Sequence, residues 1–249
     1  MSAVDVVVLI LGGIVAGIAG AGAGMASLVS YPMLLAAGLP PLVANVTNSV
    51  ALTLSTVGAM AGSRPELRGQ GDRVRRYALL SATGGVVGAV LLLSTPERVF
   101  GYVVPWLIAL GSVALLARPA LQRLHANRLH AAHPATSVGL GAIAVYSGYF
   151  GAGAGVLVLA LLGAVIADSM PRLNALKNAI VGSSNALAAI AFAVFGPVAW
   201  LFMLPLAAGC LLGGLVAPWI VRRIPDTPLR IGIGLLGLGL AVKLGLDAY

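Results

Sequence analysis

The sequence predicts an all-α protein that crosses a membrane many times and is built from two related halves. Three observations carry that prediction: an apolar composition, unbroken apolar runs and a glycine motif that occurs twice. Of 249 residues, 59% are hydrophobic and only 9% charged, and mean hydropathy is +1.02. A water-soluble chain is about 45–50% apolar and about 25% charged, so seven acids and fifteen Lys/Arg cannot cover a soluble surface. Intrinsic disorder needs the opposite balance of charge and hydrophobicity.

The apolar runs, such as Val99 to Ala117 and Gly196 to Val221, lack the period-2 alternation of a lipid-facing barrel strand and therefore read as helices. A spanning helix takes about 20 residues, so roughly eight to ten segments fill the chain and no soluble catalytic domain fits. The expected setting is the cell inner membrane, with the lipid bilayer as a partner. A net charge of +8 would suggest nucleic acid in a soluble protein; here basic residues mark cytoplasmic loops, and no nucleic-acid partner is expected. Cys210 is the only cysteine and excludes an intramolecular disulfide or a thiolate cluster. The start, Met1-Ser-Ala-Val-Asp5, lacks the positive region of a cleaved signal peptide.

Sliding the chain by 131 residues lays Gly17, Gly20, Ala21, Gly22, Ala23 and Gly24 on Gly148, Gly151, Ala152, Gly153, Ala154 and Gly155. The same shift pairs Leu28 with Leu159, Pro40 with Pro171 and Leu42 with Leu173; a shift of 125 then pairs Gly84 with Gly209 and Gly88 with Gly213. Two transmembrane repeats follow, 1–120 and 133–249, joined by a basic cytoplasmic linker, 121–132. Each reads as five segments: 4–20, 25–37, 42–62, 77–95 and 99–117, then 136–151, 155–167, 173–195, 198–220 and 229–247. The second segment of each half is too short for the roughly 30 Å hydrocarbon core. With glycines before it and proline after, each short segment predicts a broken or re-entrant helix, which a membrane tolerates only where backbone is buried or lines a cavity.

Charge supplies the topology. Arg64, Arg68, Arg73, Arg75 and Arg76 occupy one loop, Arg118, Arg123 and Arg128 the linker region, and Arg222, Arg223 and Arg230 the last loop. Placing these on the cytoplasmic side, with Arg172 and Lys177, leaves only Arg98 and Lys243 elsewhere and puts both termini outside. Each half then crosses an odd number of times, which makes the repeat inverted. His125, His130 and His133 read as part of a solvated basic loop rather than as metal ligands.

Two constellations could carry chemistry. Unwound glycines at 20–24 and 151–155, each heading a short helix, would offer N–H groups and a positive helix end to an anion. The plainer reading is a small-residue packing face. The second is the polar content of the third segment of each half, namely Asn45, Thr47, Asn48, Ser49, Thr53 and Ser55, then Asn174, Lys177, Asn178, Ser183, Ser184 and Asn185. Lys177 either faces a substrate cavity or snorkels to the interface; a lysine at a span centre costs about 2.5–3.5 kcal/mol on insertion scales. The candidate substrate-binding set is Gly20, Gly22, Gly24, Asn45, Asn48, Gly151, Gly153, Gly155, Lys177, Asn178 and Asn185. No paired carboxylates, HExxH or Ser/His/Asp set occurs in the spans, so no enzyme, metal or cofactor is expected.

These residues resemble the sulfite exporter TauE/SafE permeases. The first-half match is Gly20-Ala-Gly-Ala-Gly24, Pro32, Gly38 and Ala44. The second is Gly148-Tyr-Phe-Gly-Ala-Gly-Ala-Gly155, Lys177, Asn185 and Phe195-Gly-Pro-Val-Ala-Trp200, closing on Gly213-Gly214, Pro225 and Leu229-Arg230. The family carries a denser glycine run where this chain has Ala23 and Ala154. The resemblance implies a permease for sulfite, organosulfonates or related small anions. The resulting expectation is a secondary transporter, an exporter driven by an ion gradient, with protons as the simplest co-transported ion. A passive anion channel and a non-transporting scaffold subunit are the alternatives.

Overall fold

Proline and glycine set the helix boundaries in the computed structural model, which describes residues 3–123, 134–221 and 227–248. The described helices are α1 (Ala3–Ala23), α2 (Ala26–Ala36), α3 (Pro41–Gly62), α4 (Arg64–Leu67), α5 (Gly71–Leu93), α6 (Glu97–Leu116), α7 (Arg118–Arg123), α8 (Pro134–Tyr149), α9 (Ala154–Val165), α10 (Met170–Phe195), α11 (Trp200–Val221) and α12 (Thr227–Ala248). Pro41 starts α3 and Pro171 lies in the first turn of α10, where a missing N–H is no loss. No strand occurs among the described residues. The histidines at 125, 130 and 133, with Arg128, Arg222, Arg223 and Pro225, lie outside them.

Seven helices, α1, α3, α5, α6, α10, α11 and α12, are long and apolar enough to cross a bilayer, whereas α2 and α9 are short. Large apolar side chains such as Trp106, Leu201, Leu236 and Leu246 face outward. A soluble monomer rarely exposes so much contiguous apolar surface; here lipid covers it. The chain is a multi-pass, all-helical membrane protein.

The two halves of the sequence interlock. Helices α1 and α3 pack on α11, α8 and α10 pack on α5, and α6 packs on α12. Small residues permit the closest approaches. A methyl on Gly209 or Gly213 would overlap the carbonyl oxygen of Ile10 or Ile14, and one on Gly84 or Gly88 would crowd that of Gly141 or Val145. The helix pairs α1–α11 and α8–α5 therefore touch at positions related by the shifts of 131 and 125 residues that align the sequence.

Two features depart from the expected segments. Helix α5 begins at Gly71 rather than at 77, because Asp72, Arg73, Arg75 and Arg76 are polar but compatible with helix, and hydropathy marks only where a helix enters lipid. The short polar turns α4 and α7 carry no apolar periodicity and were not expected.

Basic residues gather on one face. Arg73 Nη1 lies 3.2 Å from Asp168 Oδ2, and Arg172 Nε lies 3.0 Å from Asp168 Oδ1. Gln70 Nε2 donates to the Arg172 carbonyl at 3.3 Å, and Arg172 Nη1 to the Arg68 carbonyl at 3.3 Å. Arg118 joins Ser63, Glu66 and Pro171 around one hollow of this face. Arg98 lies apart from them, beside Asp247.

Candidate functional site

The two glycine motifs meet in the interior. A Cβ on Gly155 would stand 2.5 Å from the Cα of Gly24, so backbone touches backbone. Gly24, which separates α1 from α2, has φ +76°, and Gly151 and Gly153, between α8 and α9, have +78° and +73°. That left-handed region is open to glycine at little cost.

The second motif unwinds as expected, since α8 stops at Tyr149 and Gly153 caps α9. The first does not. Gly20 and Gly22 remain helical, and α1 runs on to Ala23. The last carbonyls of a helix are short of intrahelical partners, and α10 supplies donors to two of them, Gly20, which also accepts from the Gly24 N–H, and Ala21. Lys177 Nζ donates to the Gly20 carbonyl at 3.0 Å and to that of Ala21 at 3.2 Å. Asn174 Nδ2 and Asn178 Nδ2 donate to the Ala21 carbonyl at 2.8 Å and 3.3 Å. Residues 174, 177 and 178 are spaced to share one face of α10, which is why one turn of α10 reaches the Gly20 and Ala21 carbonyls together.

Beside this cap lies a cavity of about 50 Å³. Gly24, Ala26 and Ser27 bring the start of α2 to it, and Gly151 and Gly155 bring the start of α9. Ser55 and Thr56 of α3 and Lys177, Asn178 and Asn185 of α10 complete a polar lining, with Gly20 and Ala21 at the end of α1. Asn185 Oδ1 accepts a hydrogen bond from the Ser147 hydroxyl at 3.1 Å, which fixes that amide. The positive ends of two helices thus open on one small polar space.

Lys177 is 1% exposed; its ammonium sits inside the protein and does not reach the interface. It forms no salt bridge among the described residues. Its charge faces the negative end of α1, and two of its three N–H donors are accounted for by the Gly20 and Ala21 carbonyls.

Of the residues singled out by sequence, Gly20, Gly24, Gly151, Gly155, Lys177, Asn178 and Asn185 border this cavity. Gly22 borders a second one, of about 210 Å³, with Arg118 and Asn174. Gly153 packs against Gly111 of α6. Asn45 and Asn48 lie elsewhere: Asn45 Nδ2 donates to the Tyr149 carbonyl at 3.0 Å, and Asn48 Oδ1 accepts from the Ser30 hydroxyl. Ser27 and Thr56 escaped the sequence reading. Ser27 follows the Gly24 break within the first turn of α2, a position from which it was recoverable; nothing in the local sequence marks Thr56.

Residues 6–244 match the family model described as sulfite exporter TauE/SafE. The chain is 25% identical over 244 residues to a Haemophilus influenzae protein named a probable membrane transporter protein, an alignment covering 94% of this chain and 92% of that one. No solved structure matches it.

Proposed function

The chain belongs to the sulfite exporter TauE/SafE family of membrane transporters, and on that premise we propose that it exports a small anion such as sulfite, thiosulfate or an organosulfonate. The observation that carries this reading is the cavity into which the starts of α2 and α9 and the Lys177 ammonium converge. Two positive helix ends, one ammonium and the amides of Asn178 and Asn185 suit an oxyanion: N–H groups bind its oxygens, and the dipoles offset its charge. Gly20, Gly24, Gly151 and Gly155 bring backbone close enough to take part. Gly22 belongs to the exit path and Gly153 to the shape of the break.

Transport is secondary, driven by an ion gradient, and works by alternating access. The end of α1 separates the central cavity from the second one, which opens toward the basic face; Ala21 borders both. Releasing the Asn174–Lys177–Asn178 cap would join them. The basic face is cytoplasmic in this reading. The halves 1–120 and 133–249, joined by linker 121–132, are inverted repeats; the matched glycine contacts of α1–α11 and α8–α5 support this, and inverted-repeat transporters hold substrate between such halves at broken helices.

Counterflow in liposomes tests the carrier reading with sulfite as the probe. Labelled external sulfite should accumulate transiently against unlabelled internal sulfite. Flux without counterflow would make the protein a channel, and no flux for any anion in the series would leave a scaffold.

A further inference from the structure

From a hollow between the starts of α3 and α6 and the end of α12, we propose that the protein binds a phospholipid whose headgroup carries both a phosphate and a primary ammonium. This lipid site is separate from the anion cavity and does not depend on it. Arg98 and Lys243 are the two basic residues that the charge topology leaves apart from the basic face, and Arg98 borders a hollow of about 310 Å³. Helix α5 runs 23 residues from Gly71, near the basic face, to Leu93, about 34 Å at 1.5 Å per residue. The start of α6 therefore lies on the opposite face of the membrane.

The hollow is polarised. Pro41 at the start of α3, Arg98 and Tyr102 in the first turns of α6, and Leu244 and Asp247 in the last turns of α12 line it. Two helix starts and a guanidinium make one side positive; the carbonyl end of α12 and the Asp247 carboxylate make the other negative. Among the described residues the side chains of Arg98 and Asp247 have no ion-pair or hydrogen-bond partner, so both charges are open to a ligand. An anion alone would meet the carboxylate, and a cation alone the guanidinium. A phosphate ester with an ammonium close by satisfies both: its oxygens accept charge-assisted hydrogen bonds from Arg98, and its ammonium donates to Asp247.

The surface that continues from the hollow makes the ligand a lipid. Residues 98, 102, 106, 110 and 113 fall on one face of α6, and Trp106, Leu110 and Val113 on that stripe are exposed. Tyr102 stands between the charge and the apolar stripe, the level at which interfacial aromatics occur. One phospholipid engages the whole column, with its headgroup at Arg98 and Asp247 and a chain along α6. Gly101 keeps the hollow open, since a Cβ there would meet nothing within 4 Å.

The test is native mass spectrometry of the purified full-length protein in detergent, offered equal amounts of phosphatidylethanolamine, phosphatidylglycerol and phosphatidylcholine with matched chains. The first bound lipid should be phosphatidylethanolamine, favoured over phosphatidylglycerol about fivefold, the ratio that about 1 kcal/mol of exposed ion pair represents. Phosphatidylcholine, whose ammonium has no proton to donate, should also bind less. Asp247→Asn should erase the preference for phosphatidylethanolamine over phosphatidylglycerol. Arg98→Gln should lower the bound fraction severalfold, as should Gly101→Phe, which fills the hollow without changing a charge. Equal binding of the three lipids, a preference that survives Asp247→Asn, or undiminished binding in Gly101→Phe each overturns the proposal. Displacement of the lipid by an equal concentration of glycerophosphoethanolamine also overturns it, making the ligand a soluble zwitterion. No transported anion is present, so failure here leaves the transport reading untouched, and failure of that reading leaves this site untouched.

Discussion

Lys177 Nζ lies 3.0 Å from the carbonyl oxygen of Gly20, so a fully buried lysine both closes the end of one helix and faces the central cavity. Its Nζ lies against the carbonyl end of α1, the negative end of that helix.

The contact of Gly24 with Gly155 predicts that neither position tolerates a side chain. Gly24→Ala and Gly155→Ala should each destabilise the protein by about 1–3 kcal/mol, the usual range for overpacking. Gly101 of α6 has open space where a Cβ would stand, and Gly101→Ala should be neutral or slightly stabilising. Thermal denaturation of the three variants checks this; equal melting would show that the two motifs do not touch.

If the halves are repeats, matched positions should respond alike. Gly88→Ala and Gly213→Ala each place a methyl against a helix carbonyl, of Val145 and Ile14 respectively. Their losses of melting temperature should agree closely. A large loss in one and none in the other would break the equivalence.

Topology can be read by labelling. Asp72 and Glu97 are both exposed, at opposite ends of α5 and its following turn. Cys210 is buried and should stay silent. An impermeant thiol reagent applied to intact cells should modify Glu97→Cys and spare Asp72→Cys. The reverse pattern would invert the assignment of the basic face.

Asp168 makes the stability of that face depend on pH. The Ser169 backbone N–H, then Arg172 and Arg73, hold its carboxyl below the usual value. A lowered value in the folded state means that the carboxylate stabilises above the normal carboxylate range and that this contribution is lost as pH falls through the lowered value. Asp168→Asn should therefore melt lower than the parent at neutral pH, with the gap closing on acidification. The ion pairs are exposed, so salt should shrink the gap. A gap independent of pH would remove the carboxylate from the account.

Composition and apolar runs sufficed for the ten main helices, because lipid demands long apolar segments and loops take the charge. The doubled motif marked Gly24 and Gly155 as special positions, but their direct contact was not legible, since nothing in either motif says what it packs against. The helical state of Gly20 and Gly22 was not. Local sequence favours unwinding there, but donors from Asn174, Lys177 and Asn178, more than 150 residues away, complete the last turn. Asn45 and Asn48 show the converse. Their composition suggested the same polar site as Lys177, yet Asn45 binds the last carbonyl of α8 and Asn48 the Ser30 hydroxyl, a distinction that only packing makes.

The central claim is that Lys177 binds the transported anion, and the dissociation constant of the tightest anion among sulfite, thiosulfate, sulfate, sulfoacetate and taurine tests it most directly. Lys177→Ala should weaken binding by about 1.5–3 kcal/mol, the range for a hydrogen bond to a charged group. Lys177→Arg should recover only part, since a planar fork does not replace a compact ammonium. Asn174→Ala loosens the same helix end without removing the lysine and should weaken binding less than Lys177→Ala does. A constant unchanged in Lys177→Ala, or lowered affinity in Asn174→Ala as large as in Lys177→Ala, would contradict the claim and leave Lys177 as a helix cap alone.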